Sequence, residues 1–233
     1  IRDDMVSLRP NEYSVKIRGV HVAGGDIEPR SLLAMNPGYV EEEIEGADTK
    51  EPAFGLPAKW IAETAREQAE LMGYTVVEPP AVLATHLTEV IKSHAHEVLT
   101  RQDTQAHIDR IKEKSPTVVD ELVPDNLSVG GIQKVLQNLL KERVPIRDTQ
   151  TVLECLADYA PITKEPDILT EYTRSSLART ISQLYQNEEG SIPVLTVAPE
   201  LEQRITDAMK ARPVASRLSF HPTHSSNSRT NCP

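Results

Sequence analysis

The residues best equipped for chemistry in this chain are its histidines, since imidazole binds metals and moves protons near neutral pH. Of the seven, setting aside His21 and His221, four gather mid-chain (His86, His94, His96 and His107), and His224 lies near the end. The run His94-Ala-His96-Glu97 is close to a zinc-protease helix, but the second ligand of an H-E-x-x-H pair would fall on Thr100. His94 and His96 are two positions apart and leave a helix on different faces, so they do not chelate one ion as an i, i+4 pair does. The spacing predicts no metal site, and nothing else in the chain asks for a cofactor.

Other catalytic constellations are missing as sequence patterns. There is no G-x-x-x-x-G-K-[ST] phosphate loop, no G-x-G-x-x-G and no G-x-S-x-G elbow. Gly24-Gly25 and Gly130-Gly131 read as turn or packing glycines. Cys155 falls on the apolar stripe of a helix and reads as a small buried hydrophobe, while Cys232 sits in a polar tail. Two distant cysteines fit a reducing compartment without a disulfide framework. The expectation is a protein that is not an enzyme.

Binding chemistry is better represented. Only 4% of the 233 residues are aromatic, yet "KEPAFGLPAKWI" (50–61) holds the one Trp and one of the two Phe. Pro52, Gly55 and Pro57 argue against a regular helix there. Trp60, in a short strand pattern with Ile61, is expected in a core; Phe54, in the Pro/Gly-bounded loop beside Glu51, is expected to face outward. A formal charge of −10 disfavours phosphate backbones, so no nucleic-acid partner is expected. The alternative is a helix-turn-helix or winged-helix-like DNA-binding regulator built on helices 128–143 and 148–159. Its second helix carries Glu154 and Asp158, where base readout needs Arg, Asn or Gln.

The elements that must position these residues follow from period and punctuation. Tyr13, Val15 and Ile17 share one strand face, and the run continues through Val20 and Val22 to Gly24-Gly25, predicting a strand ended by a turn. Leu32–Met35 predicts a strand, and the acidic run from Glu41 to Asp48 a solvated loop or strand edge. Ala58–Ile61, Thr64–Gly73 and Tyr74–Val77 predict a β-α-β alternation with Gly73 stopping the helix, hence a small α/β subdomain.

From Pro79 the pattern turns helical. Leu83, Leu87, Val90, Ile91, His94 and Val98 define one stripe, and Ile108 and Ile111 a second helix. Ile132, Val135, Leu136, Leu139 and Leu140 define a third, capped by Ser128 and ended at Val144-Pro145. Asp148 caps a fourth with Val152, Cys155, Leu156 and Tyr159 inward. A long helix over 166–185, a strand at Val194–Val197 and a helix over 199–211 follow; the Ser/His/Thr/Asn-rich 216–233 is expected to be poorly ordered. No 20-residue apolar run is present, and the start at Ile1 without Met reads as a piece of something longer.

Four segments carry a resemblance. "DTKEPAFGLPAKWI" (48–61), "GYTVVEPPAVLATHLTEVIKSHAHEVL" (73–99), "KVLQNLLKERVPIRDTQTVLECLADYAP" (134–161) and "LTEYTRSSLARTI" (169–181) are similar to the cytoplasmic domain of the FlhA family. These are export-gate proteins of flagellar and related type III secretion systems. The match runs from Ile1 to about Ile205 and fades after about Ala211, and "PAFGL" and "VLQNLL" look flagellar.

The resemblance implies an α+β, multi-subdomain fold. A thioredoxin-like first subdomain would use 1–29 plus 79–98, with its leading strands missing. A small α/β subdomain would be inserted at 30–78. A helical subdomain at 99–178 and the start of an α/β ring-building subdomain at 179–211 would follow, then an atypical tail at 212–233. It also implies a docking platform at the cytoplasmic face of the bacterial inner membrane, in which export chaperone–substrate complexes bind and substrate export is ordered. Other partners would be the remaining export-gate and ATPase-complex components and further copies in a nonameric ring. Membrane contact would be made only by an N-terminal domain not in this chain. The family's chaperone site uses an acid and a Phe of a D-P-x-F-G motif and a Thr of A-T-H-L; these fall on Glu51, Phe54 and Thr85, with Glu standing where the motif has Asp.

Overall fold

A glycine at the right place turns the first apolar run back on itself. A computed structural model describes residues 8–210 and shows strands Glu12–Ile17 (β1) and Val20–Asp26 (β2) paired antiparallel. Arg18 and Gly19 both take positive φ (51° and 86°), the backbone that matches a two-residue hairpin turn to strand twist. The expected single strand ending at Gly24-Gly25 is therefore corrected to a hairpin turning at Arg18-Gly19. Gly24 and Gly25 lie inside β2, where a Cβ would come within 2.7 Å of the Tyr13 carbonyl oxygen and 3.0 Å of the Tyr13 hydroxyl. They serve close approach to Tyr13, not the turn.

The strands Ser31–Met35 (β3), Ala47–Lys50 (β4), Pro57–Ala62 (β5) and Thr75–Val77 (β6) form one sheet in the order β4-β5-β3-β6. Helix Arg66–Leu71 (α1), entered through the 3₁₀ turn Glu63–Ala65, links β5 to β6. β5 and β6 each pair antiparallel with β3, so they run parallel to each other with β3 between them. The predicted β-α-β alternation is thus a split one, and every neighbouring pair is antiparallel. Gly73 stops α1 with φ 94°.

β3 reads as a continuous apolar run because both of its faces are covered. Leu32 and Ala34 pack with Ile44, Ile61, Ala69 and Tyr74 on the α1 side. Leu33 packs with Ala58, Trp60 and Val82 on the other. Ile44 is 3% exposed inside the acidic run, so that loop is anchored as well as solvated. Glu43 and Asp48 both bridge the Lys59 ammonium, at 3.0 and 3.3 Å. Their hydrogen bonds, Glu43 first, hold the Lys59 pKa above its ordinary value.

Helix Pro79–Val98 (α2) carries Val82 to that second face. Its buried residues are Pro79, Val82, His86 and Val90, whereas Ile91 and Val98 are exposed. The expected stripe is corrected by a rotation of the helix, because the sheet, formed from residues elsewhere in the chain, chooses which side of α2 to cover.

The remaining helices of this unit share one apolar core. They are Arg101–Lys114 (α3), Pro116–Leu122 (α4), Val129–Lys141 (α5), Thr149–Tyr159 (α6), Pro166–Ser176 (α7) and Ala178–Tyr185 (α8). Ile132, Val135, Leu136 and Leu139 of α5 are fully buried against Val152, Leu153 and Leu156 of α6 and Leu169 of α7 within that cluster. The caps are local: Ser128 Oγ accepts from the Gly131 N–H and Asp148 Oδ1 from the Thr151 N–H, both at 3.2 Å. Thr100 and Asp103 form a reciprocal capping box on α3. Tyr159 and Tyr172 stack at 3.9 Å between ring centres.

One expectation is corrected here, and one element is new. The single helix over 166–185 is broken at Leu177, where Ser175 and Ser176 hydroxyls bond back to the Glu171 and Tyr172 carbonyls. The short α4, with Pro116 in its first turn, has no counterpart among the predicted elements.

The chain divides into two units, the second beginning at Tyr185. Its described part is a turn closed on the Asn187 side chain, an extended stretch and helix Pro199–Lys210 (α9). Val194–Val197 forms no strand; Leu195 is fully exposed, and a strand requires a ladder partner that the described residues do not supply. The tail expected to be poorly ordered lies outside the described residues.

Candidate functional site

The loop joining β4 to β5 is Glu51–Leu56, and its own first residue organises it. Lys50 faces Pro57 across the ladder, and the Glu51 N–H donates to the Leu56 carbonyl at 2.9 Å, closing the loop at its base. The Gly55 N–H donates to the Glu51 carbonyl at 2.9 Å, with Gly55 at φ 72°. The Glu51 side chain then folds into the loop. Oε1 accepts from the Ala53 N–H at 2.8 Å and Oε2 from the Phe54 N–H at 2.6 Å. Charge-assisted bonds of this kind are among the stronger hydrogen bonds available to a loop.

The consequence is a division of labour. Glu51 is buried at 3% exposure, while Phe54 is 63% exposed and Leu56 41%. Trp60, three residues beyond the start of β5, is buried against Leu33 and Val82. Both aromatic residues of this stretch thus stand where the sequence suggests, although Trp60 sits on the α2-facing side of the sheet. Glu51 does not stand on the surface beside Phe54; its carboxylate is spent on the loop.

Tyr13 ties the first hairpin to α2. The Tyr13 hydroxyl hydrogen-bonds His86 Nδ1, and the rings meet edge to face at 5.7 Å. Burial, then the charges of Glu51 and Asp26, push the Tyr13 phenol up to about 12. His86 follows Thr85, which is exposed on α2. Glu51 and Phe54 are joined directly by one hydrogen bond, whereas no side-chain hydrogen bond among the described residues ties the exposed Thr85 to either of them. Sequence reasoning tested His86 as a metal ligand; its partner is a phenol. It also passed over Leu56, whose only signal was its place between Gly55 and Pro57.

The helix pair α5–α6 offers no nucleic-acid face. Val152, Leu153, Cys155, Leu156 and Ala157 of α6 are buried, and Glu154 and Asp158 face outward. Gln150, the one outward amide of α6 suited to a base edge, donates to Glu154 at 2.9 Å. The DNA-binding reading has no support in this arrangement.

An antiparallel split sheet covered by a long helix, followed by a capped helical core, is the fold of the C-terminal domains of type III secretion export proteins of the V family. Chlamydia pneumoniae CdsV superposes with a TM-score of 0.73 at 28% identity, over 89% of this chain and 65% of that one. The nonameric SctV-C of EPEC superposes at 0.60 and 23% identity, over 88% and 69%, a likeness of fold alone.

The chain belongs to the FHIPEP family, which it matches over residues 1–232. That match runs past Ala211, correcting the expectation that the resemblance fades there. The flagellar biosynthesis protein FlhA of Bacillus subtilis is 47% identical over 222 residues, covering 95% of this chain and 33% of that protein. FlhA of Escherichia coli K12 is 41% identical over 210 residues, covering 90% and 30%. The chain thus spans about a third of the length of these relatives.

Proposed function

We propose that this chain is part of the docking platform of the flagellar type III export gate, binding export chaperone–substrate complexes and helping to order their export. Family membership and FlhA relatives at 41–47% identity support the export-gate role. The observation that carries the docking role is Phe54, an aromatic ring 63% exposed on a loop whose backbone is held by four hydrogen bonds of Glu51. A rigidly held aromatic anchor loses little entropy on binding and contributes a large share of an interface's energy. Phe54 and Thr85 are the contact residues of this reading, and Glu51 belongs to the same site.

In this reading the chain works on the cytoplasmic face of the inner membrane, and membrane attachment belongs to parts of the relatives that this chain does not match. It acts as a binding element, without cofactor or catalytic centre. The subdomain divisions 1–29 with 79–98, 30–78, 99–178 and 179–211 belong to the same proposal. So does assembly into a ring with other copies, which the nonameric SctV-C of EPEC supports by likeness of fold. Contact with neighbouring export components is supported by the complex of CdsV with CdsO.

The test is capture of a purified flagellar chaperone loaded with its filament-type substrate by wild-type and Phe54→Ala chains. Retention by the first and loss by the second is expected. Equal retention by a folded Phe54→Ala chain refutes the docking role.

A further inference from the structure

An acid two or three residues before an exposed aromatic invites the reading that both touch the partner, one by charge and one by packing. The geometry of the 51–56 loop separates them. At 3% exposure the Glu51 carboxylate has almost no surface to offer a partner's cation. Both of its oxygens already accept backbone N–H groups, at 2.8 and 2.6 Å, and the second of these is the N–H of Phe54 itself. The backbone of Glu51 makes two further bonds across the loop, to Leu56 and from Gly55. Four bonds from one residue therefore define the loop that carries Phe54 and, at its base, Leu56, 63% and 41% exposed.

We propose that Glu51 is a positioning residue: it sets the Phe54 loop and does not touch the partner, whose contact here is an apolar face seated on Phe54 and Leu56. The inference rests on the docking reading above. It explains why an acid is needed without requiring a basic partner. An anionic acceptor preorganises two loop amides that would otherwise be solvated and mobile, so the ring is held in its binding orientation before the partner arrives. It also gives the acid a chemical requirement, two acceptor oxygens within reach of the next two or three N–H groups, which an aspartate meets as well.

The experiment measures the free chain first and binding second. Hydrogen exchange at the Ala53 and Phe54 amides is compared for wild type, Glu51→Ala, Glu51→Asp and Phe54→Ala, each verified as folded by its thermal transition. Removing a bond to a charged acceptor is expected to speed exchange at both amides on the order of tenfold or more in Glu51→Ala, with Glu51→Asp close to wild type. Affinity for the chaperone–substrate complex should fall in Glu51→Ala and recover in Glu51→Asp. Its dependence on salt should be the same in every variant, because no partner charge is lost. Leu56→Ala should weaken binding with no change at the two amides.

Unchanged exchange in Glu51→Ala with lost affinity, or a weakened salt dependence, overturns the proposal and makes Glu51 a contact. Should Glu51→Ala fail to fold, Glu51→Gln takes its place: it keeps the shape and loses the charge. Faster exchange at the two amides then supports the clamp, and unchanged exchange refutes it. The docking reading stands or falls separately on Phe54→Ala, since exchange in the free chain is independent of any partner.

Discussion

Replacing Phe54 by alanine should weaken partner binding while leaving the fold in place, and the size of both effects can be worked from exposure. A phenylalanine side chain carries roughly 200 Å² of apolar surface. With 63% exposed, roughly 130 Å² remains for a partner to cover. At about 25 cal/mol/Å² that is about 3 kcal/mol if burial is complete. Alanine keeps a fraction of it, so a loss of about 1–3 kcal/mol is expected, roughly 5- to 150-fold in Kd. The packed third of the ring is worth at most about 2 kcal/mol to folding, and less because denatured chains are themselves partly collapsed. For a unit of this size that lowers the Tm by several degrees at most, leaving a cooperative transition. Isothermal calorimetry with a chaperone–substrate complex reads the first quantity and scanning calorimetry the second. A Kd changed by less than about twofold would falsify the docking role. A Phe54→Ala chain without a cooperative transition would instead make the ring a core residue, against its exposure.

Trp60→Ala should act in the opposite way, costing about 3–5 kcal/mol of stability in urea denaturation, because Trp60 is 8% exposed between Leu33, Ala58 and Val82; a loss below about 1 kcal/mol contradicts its core role. Ser128→Ala and Asp148→Ala should each cost about 1 kcal/mol by removing the cap acceptors of α5 and α6, and Ser128→Asp should be close to neutral. Stability should decline as pH rises from about 10 to about 12. The folded chain holds the Tyr13 proton up to about 12, while the unfolded chain releases it around the ordinary value of 10.0, so the unfolded state binds fewer protons in that window and the full contribution is present only below it. Phenolate absorbance should show one late tyrosine that disappears in Tyr13→Phe; the same titration curve in both chains removes that assignment.

Much of the helical part was legible because its signals are local. Ser128 and Asp148 cap within three residues, the α5 stripe from Ile132 to Leu139 repeats at helical spacing, and Gly73 supplies a positive φ at the end of α1. The family, too, was legible in four segments of unusual wording, since residue identity survives without any knowledge of packing. Elements whose form depends on a distant partner were not. Val194–Val197 has the residues of a strand but no ladder in the described structure, and α2 presents Val82, His86 and Val90 because a sheet drawn from 31–77 lies against that side. His86, a plausible ligand by type, was decided by Tyr13, 73 residues away in the chain.

At the 50–61 stretch the residue types alone determined that an aromatic pair, an acid and a Pro/Gly-bounded turn would stand close together. They also suggested which aromatic would turn inward, through the strand pattern at Trp60 and Ile61. Only the tertiary structure decided what the acid does. A carboxylate is equally able to accept hydrogen bonds from its own loop or from a partner, and composition carries no sign of the difference. The choice is made when the β4–β5 ladder closes the loop and brings the Ala53 and Phe54 amides within reach of both Glu51 oxygens, burying the charge and leaving the ring outside.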